Sequence, residues 1–195
     1  MKKQFRIALV MLVGFTILTG IVYPAFVTLA ARGIFPNQSR GSLIRQNEKF
    51  VGSELIGQPF QDPKYFWGRP SATPTYPYNA SASNAANVGP TNPALQDAVK
   101  QRIEVLHAVD PDNHDSIPVD LVTTSASGLD PHISPAAAYF QVARVARLRG
   151  LDVARVRALV DTHIQTPIWG FLGERRVNVL RLNLALDELA KAQAS

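Results

Sequence analysis

The sequence predicts an α+β fold, with one N-terminal transmembrane helix followed by a single mixed extracytoplasmic domain. A charge-free apolar run over residues 7–31 predicts the anchor. A stretch rich in proline and aromatic residues, from Gly52 to about Pro93, predicts a long loop region in the domain. Apolar residues that recur at helical spacing in the rest of the chain predict about four helices.

The composition fits one moderate-sized domain attached to an anchor. The chain has 195 residues, of which 46% are hydrophobic and 18% charged. Without the N-terminal segment about 160 residues remain, enough for one domain with a core. The formal net charge is +5, but the arginines are dispersed rather than gathered into a patch, so no nucleic-acid partner is expected. The absence of cysteine excludes thiolate metal sites, disulfides and a Cys nucleophile.

The apolar run over 7–31 is long enough to cross a bilayer with some tilt, because about 25 residues span about 37 Å as a helix. Three cationic residues precede it, so the positive-inside rule places residues 1–6 in the cytoplasm and residues 32–195 outside. A cleaved signal peptide is the alternative, since small residues at Ala30 and Ala31 resemble a cleavage site. The run exceeds the usual length of such peptides, and a retained anchor is the prediction.

Three residues of the anchor have structural consequences. Pro24 removes a backbone donor, which predicts a kink or local unwinding there. Thr16 and Gly20 form a small-xxx-small pair that predicts contact with another helix. Small residues are also common in membrane helices that pair with nothing, and both explanations stay open.

The region from Gly52 to Pro93 contains seven prolines and therefore no long helix. Six aromatic residues recur through it, which a disordered linker does not need. We therefore expect an ordered loop with short strands, packed on the domain. Trp67 and Arg69 are residue types that anchor protein interfaces, whereas the aromatics could equally fill the domain's own core. Both roles stay open.

Capping residues predict where the helices of the domain begin and end. On the second helix, Gln141, Arg144 and Arg147 are predicted to project away from the packed face. The β-prone run Val119 to Thr124 predicts a core strand. The four predicted helices lie between Asn92 and Pro111, between Ser134 and Gly150, from Asp152 to about His163, and from about Asn178 to Ala192.

The densest polar stretch runs from Thr123 to Ser134, between the predicted strand and a helix N-terminus that could bind an anion. It contains the residue types of a hydrolase triad, but it lacks G-x-S-x-G, and one proline separates Asp130 from His132. Turn and capping roles are expected for most of these side chains. No catalytic residue is therefore assigned. No histidine pair or acidic loop has metal-ligand spacing either, so no metal ligand is assigned. A membrane-anchored hydrolase or substrate-binding module stays the alternative function.

Several motifs in a fixed order resemble one family, the C subunit of the Kdp-type high-affinity potassium-transporting P-type ATPase of bacteria (the KdpC family). The likeness covers nearly the whole chain, including the anchor. The Asp-Lys-Thr-Gly-Thr phosphorylation motif of P-type ATPases is absent, which agrees with a non-catalytic subunit. The motifs that resemble the family are Gly52–Gln58, Tyr65–Ser71, Tyr78–Asn84, Val88–Pro93, Ser125–Ser134 and Arg176–Asp187.

The resemblance implies an accessory subunit of the bacterial inner membrane. Its implied partners are a potassium-channel-like subunit, a P-type ATPase subunit, a small single-helix subunit and membrane lipid. It implies no cofactor of the chain itself, but it does imply a higher ATP affinity of the ATPase subunit. Ser125, Ser127 and Gly128 belong to the stretch that is likened to an ABC-transporter signature, and this likeness implies a contact with ATP. Gln141 would be a polar partner in that contact, on the exposed side of its helix. This contact conflicts with the predicted topology, because a domain outside the cytoplasm does not meet ATP.

Overall fold

The structure is a computed structural model that describes residues 2–46 and 48–194. The chain forms two compact units, Met1–Val51 and Gly52–Ser195. The predictions for residues 1–6 and 32–195 include Met1, Asn47 and Ser195, which lie outside the described residues.

The first unit begins with one helical stretch, Lys2–Ile34, which is long and apolar enough to cross a membrane. It consists of α1 (Lys2–Ile17), a π-helical turn (Leu18–Val22) and α2 (Tyr23–Ile34). None of its residues is buried within the chain. Pro24 cannot donate a backbone hydrogen bond, and the wider π-helical turn that ends at Val22 accommodates the missing bond. The predicted local distortion of the helix is thereby confirmed.

The rest of the first unit is a short connection and a hairpin. A 3-10 turn, Gln38–Arg40, ends at Gly41, whose φ of 81° is in the left-handed region that glycine adopts without strain. Strands β1 (Leu43–Gln46) and β2 (Lys49–Ser53) then pair as a two-stranded sheet.

Over its described residues, 52–194, the second unit contains five helices and a three-stranded antiparallel sheet. Strand order is β3–β5–β4, with Ile133 and Ile164 both opposite Val177. The helices are α3 (Pro93–Val109), α4 (Val119–Val122), α5 (Pro135–Arg149), α6 (Val153–His163) and α7 (Val179–Ala194). The strands are β3 (His132–Ile133), β4 (Ile164–Gln165) and β5 (Arg176–Asn178).

The predicted helix caps are confirmed. The side chains of Asn92, Ser134 and Asp152 each accept a hydrogen bond from a backbone N–H in the first turn of α3, α5 and α6. Helix α5 ends at Gly150, whose φ of 62° forms a left-handed cap. The sequence thus encoded the start of these three helices through short-range hydrogen bonding alone.

The predicted strand from Val119 to Thr124 is wrong, because Val119–Val122 forms the helical turn α4. Pro118 directly precedes the turn and suits a helix start. Asp120 then holds the start of α5 by accepting from the Ser134 N–H at 2.6 Å. A long-range contact therefore overrides the β propensity of the valines. This turn also raises the number of helices in the unit from the predicted four to five.

Helices α5, α6 and α7 and strand β5 supply most of the buried core. The loop region adds Phe66, which is fully buried, and partly buried Phe60 and Trp67 pack against the same core. The prediction of an ordered loop packed on the domain is confirmed. Of the region from Gly52 to Pro93, only the last two residues of β2 are in a strand, and no strand forms among residues 54–92, so the prediction of short strands within the loop region is wrong.

Candidate functional site

The polar stretch lies between α4 and α5 and packs on the loop region around Gly128. A Cβ at this glycine would lie 2.8 Å from both the Asn84 carbonyl oxygen and Thr73 Cγ2, and its φ is 68°. The Ser71 hydroxyl donates to the Gly128 carbonyl at 2.7 Å. Glycine is required here because two loops meet at its Cα and because the backbone is left-handed.

Ser125 and Ser127 both stabilise this turn. The buried Ser125 Oγ accepts from the Gly128 N–H at 2.9 Å, and Ser127 Oγ accepts from the Leu129 N–H at 3.1 Å. The Ser127 carbonyl accepts from the Asn84 N–H at 3.1 Å. The expected turn roles of these serines are confirmed, and their hydroxyls are already paired within the chain.

Arg69 joins the loop region to the polar stretch. Its guanidinium lies 3.4 Å from Asp130 Oδ2 and donates to the Thr124 carbonyl at 3.1 Å. The same carboxylate accepts from the His132 N–H at 3.0 Å and lies 3.3 Å from the His132 ring nitrogen. Burial raises the pKa of Asp130, but the His132 hydrogen bonds and the Arg69 charge outweigh burial, so the pKa is lowered overall.

Tyr78 lies beneath this ion pair, and its hydroxyl donates to the Arg69 carbonyl. Two glycines make room for the ring, since a Cβ at Gly57 would lie 2.2 Å from Tyr78 Cε1 and one at Gly68 would lie 2.8 Å from the hydroxyl. Burial, with the nearby Asp130 charge, raises the pKa of Tyr78 to about 12. The phenol therefore stays a neutral donor at physiological pH.

Gln141 is only 1% exposed, so the expectation that it lies on the exposed side of its helix is wrong. Its Oε1 accepts from the Trp67 N–H at 2.8 Å and from Arg144 Nη2 at 2.7 Å. Its Nε2 donates to the carbonyls of Trp67 and Ala137, each at 3.1 Å. The reason is that the Trp67 peptide groups pack against α5 and need partners there. All four bonds of the carboxamide are used inside the chain.

Arg144 is also 1% exposed, so its predicted outward orientation is wrong as well. The guanidinium donates to the carbonyls of Pro63 and Tyr65 and lies 4.8 Å from the centre of the Trp67 ring. Burial lowers its pKa to about 10, which leaves it charged at neutral pH. Arg147, by contrast, is exposed as predicted and pairs with Asp110 at 2.8 Å.

A second buried carboxamide, which the sequence analysis did not single out, repeats the Gln141 arrangement. Asn183 on α7 accepts from the Phe66 N–H and donates to the Phe66 carbonyl, both at 2.9 Å. Two helices therefore each hold one of the consecutive residues Phe66 and Trp67 by both backbone groups. We call Gln141 and Asn183 the carboxamide clamp. A polar residue among the inward-facing leucines of the last helix was the signal that could have revealed it.

The serine, aspartate and histidine of the polar stretch do not form a hydrolytic triad. Asp130 and His132 lie together, but the Ser134 hydroxyl donates to Asp120 Oδ1 at 3.1 Å and the Ser125 hydroxyl pairs with Gly128. The Asp120 carboxylate also occupies the N-terminus of α5, where an anion could otherwise bind. Within residues 2–46 and 48–194, no group of three or more His, Cys, Asp or Glu is placed to hold a metal ion.

The family model described as "KdpC: K+-transporting ATPase, c chain" matches residues 5–188. The chain belongs to the KdpC family. It is 63% identical over 99% of its length to the complete "Potassium-transporting ATPase KdpC subunit" of Variovorax paradoxus. It is 61% identical over its whole length to 99% of the subunit of that name from Polaromonas naphthalenivorans, and 58% identical over 97% of its length to the complete subunit from Methylococcus capsulatus.

The predicted interaction residues of this KdpC family member differ in their surroundings. On the anchor, the Thr16 hydroxyl donates to the Leu12 carbonyl at 2.7 Å, and a Cβ at Gly20 would meet nothing within 4 Å. The Trp67 ring is half-buried, and its Nε1 donates to the Asp62 carbonyl at 3.2 Å. The Arg69 guanidinium contacts Asp130 and the Thr124 carbonyl. The partner contacts proposed for Thr16, Gly20, Trp67 and Arg69 stay predictions, as does ATP contact at Ser125, Ser127, Gly128 and Gln141.

Proposed function

We propose that the chain is a non-catalytic accessory subunit of a high-affinity, ATP-driven potassium uptake complex, which assembles or stabilises the channel-like and ATPase subunits. The observation that carries this proposal is that polar side chains, which a catalytic or ligand-binding site would leave available, make hydrogen bonds inside the chain. The hydroxyls of Ser125, Ser127 and Ser134, the Asp130 carboxylate and the Gln141 carboxamide are hydrogen-bonded within the chain, as in a scaffold. The relatives' name, a subunit of a potassium-transporting ATPase, supplies the complex to which such a scaffold belongs.

The helix Lys2–Ile34 is proposed to be the membrane anchor, with residues 1–6 in the cytoplasm and the bulk of the chain outside it. The support is the cationic N-terminus followed by an apolar helix with no buried residue. In lipid, such a helix packs against others through close backbone approach. A Cβ at Gly20 would meet nothing within 4 Å, so this position is open to contact with the small single-helix subunit or with the membrane helices of the other partner subunits.

We further propose that any effect on ATP affinity is exerted through the ATPase subunit rather than by direct contact with Gln141. Direct contact would require the carboxamide to give up hydrogen bonds to Trp67, Ala137 and Arg144. Breaking such buried bonds is costly, at about 1–3 kcal/mol for each group left unpaired. The ATP dependence of hydrolysis, measured for the complex with and without the chain, tests for this effect.

The experiment that tests the function is growth at low potassium. A strain that depends on this uptake complex and lacks the chain should fail to grow there, and plasmid-borne wild type should restore growth. Normal growth of the deletion strain would contradict the proposal. Purified chain assayed on ester and peptide substrates tests the alternative, since turnover that is lost in Ser125→Ala would identify an anchored hydrolase.

A further inference from the structure

The excess positive charge of the chain lies at the two ends of the apolar run. Residues 1–6 carry three cations and no carboxylate, and residues 32–51 carry four cations and one carboxylate, so each segment has a net charge of +3. Residues 52–195 contain 13 lysines and arginines against 14 aspartates and glutamates, a net charge of −1. The dispersed arginines of the second unit are therefore balanced, whereas those beside the helix are not. We call residues 32–51 the basic segment.

The four cations of the basic segment are exposed. They are Arg32, Arg40, Arg45 and Lys49. In the part of the chain that the structure describes, no carboxylate lies within 4.0 Å of their charged nitrogens. The Arg45 guanidinium donates only to the Glu48 carbonyl, at 3.5 Å, which leaves its charge unneutralised. These groups can therefore take an anion from outside the chain as their counter-charge.

Backbone hydrogen bonds tie the basic segment to the end of α2. The Phe35 N–H donates to the Ala31 carbonyl at 2.8 Å, and the Ser39 N–H donates to the Phe35 carbonyl at 2.9 Å. The charge-free run before Arg32 spans about 37 Å as a helix, against about 30 Å for the hydrocarbon core of a bilayer. When this helix crosses a bilayer, Arg32 lies at the depth of the headgroups, and the hairpin follows within a few residues.

One face of the hairpin suits the headgroup region. Alternation along β1 places Leu43 and Arg45 on the same side, and both are exposed. Phe50 of β2 lies on this side as well, because its ring centre is 4.8 Å from the Arg45 guanidinium carbon, and the residue is 62% exposed. At a bilayer interface, apolar side chains enter the acyl boundary while a long cationic side chain keeps its charge among the phosphates.

We propose that the basic segment binds anionic phospholipid headgroups at the membrane surface where the apolar helix ends. This inference rests on the proposed function, specifically on the anchor role of Lys2–Ile34. Guanidinium groups pair with phosphate oxygens through two parallel N–H bonds, and each cation near an anionic bilayer adds to the attraction.

The bilayer is favoured over a protein as the occupant of this surface. An inserted anchor by itself brings the headgroups within reach of the cations, whereas an acidic surface on a partner would have to be supplied separately. A second copy of the chain is disfavoured because its basic segment carries the same net charge of +3, and like charges repel.

The test uses the full-length chain in lipid nanodiscs that contain equal amounts of phosphatidylglycerol and phosphatidylcholine. The chain contains no cysteine, so a fluorophore on Gln38→Cys, which is exposed in the turn before β1, reports on this segment alone. A nitroxide on the acyl chain of one lipid or the other quenches the fluorophore. Nitroxide-labelled phosphatidylglycerol should quench about threefold more than nitroxide-labelled phosphatidylcholine, and this preference should disappear in about 0.5 M salt.

Variants of the segment show which groups cause the preference. Arg40→Gln/Arg45→Gln/Lys49→Gln lowers the net charge of the segment to zero and should make quenching by the two lipids equal. Arg40→Lys/Arg45→Lys keeps the charge and should keep the preference. The matched control removes the same number of exposed cations from the second unit and should also keep it. This control is Lys100→Gln/Arg155→Gln/Lys191→Gln.

Each remaining outcome decides against the inference in a recognisable way. Equal quenching by the two lipids with the wild-type segment would overturn it, support an acidic protein surface as the occupant, and leave the anchor role intact. A preference that survives in the triple glutamine variant, with an unchanged circular dichroism spectrum, would overturn it as well. If the wild-type chain is extracted from vesicles by alkaline carbonate, the proposed anchor fails, and this inference fails with it.

Discussion

Replacing Gln141 with leucine tests whether this residue acts as a clamp for the loop region. The substitution keeps the side-chain volume but leaves the N–H and the carbonyl of Trp67 without their partner. It also removes one acceptor from the buried Arg144 guanidinium. Gln141→Leu should therefore abolish the attachment of the loop region to α5 at this point.

The expected loss is large. Each buried polar group left unpaired costs about 1–3 kcal/mol, and the new leucine recovers part of this through apolar burial. We expect the free energy of unfolding to fall by about 2–4 kcal/mol for Gln141→Leu, a substantial share of the roughly 5–15 kcal/mol typical of a domain. Gln101→Leu is the matched control because Gln101 is exposed on α3, and it should stay within about 0.5 kcal/mol of wild type.

The assay is urea unfolding of the full-length chain in detergent, followed by tryptophan fluorescence. Trp67 reports directly on the loop region. A lower midpoint with an unchanged slope is expected for Gln141→Leu. If Gln141→Leu were as stable as wild type while the complex needed more ATP for hydrolysis, the clamp reasoning would be refuted and direct ATP contact supported.

Four further predictions concern other parts of the chain. Gly128→Ala should cost about 2 kcal/mol or more because it combines a left-handed backbone with a steric clash, whereas Gly150→Ala, with the same backbone but open space, should cost about 1 kcal/mol in the same unfolding assay. The pKa of the Asp130 carboxyl is lowered in the folded chain, so the stability that this carboxylate adds to the fold is complete above about pH 4 and is lost as the pH falls further. The free energy of unfolding, measured as a function of acid pH, should show this loss in wild type and less of it in Asp130→Asn. Gly20→Leu should reduce copurification of partner subunits and growth at low potassium without unfolding the domain, and intact complex with normal growth would remove this surface from assembly. A reporter fused after Ser195 should be active only outside the cytoplasm, and cytoplasmic activity would reverse the topology.

Much of the fold could be predicted because its signals are local. The caps at Asn92, Ser134 and Asp152 act over two or three residues, and Gly150 ends α5 through its own backbone conformation. The apolar helix Lys2–Ile34 could be predicted because the length and composition of the run alone identify a helix that could cross a membrane. These features need no knowledge of which distant segments meet.

The errors occur where distant segments decide the outcome. The run at Val119 has β propensity, but its helical turn is stabilised by the contact from Asp120 to the start of α5. Gln141 and Arg144 appear as surface residues by helical periodicity, since the pattern cannot show that the polar backbone of the loop region lies over them. A buried polar side chain is specified by its partner, and Trp67 is 74 residues away from Gln141. The same limit explains why Asn183 was missed.

Assembly is tested most simply by a pull-down of the tagged full-length chain from native membranes of cells grown at low potassium. We expect the potassium-channel-like subunit and the P-type ATPase subunit to be recovered together with the chain, and the chain alone to hydrolyse nothing. Recovery of the chain without either subunit, from membranes that contain both, would contradict its role as an assembly subunit.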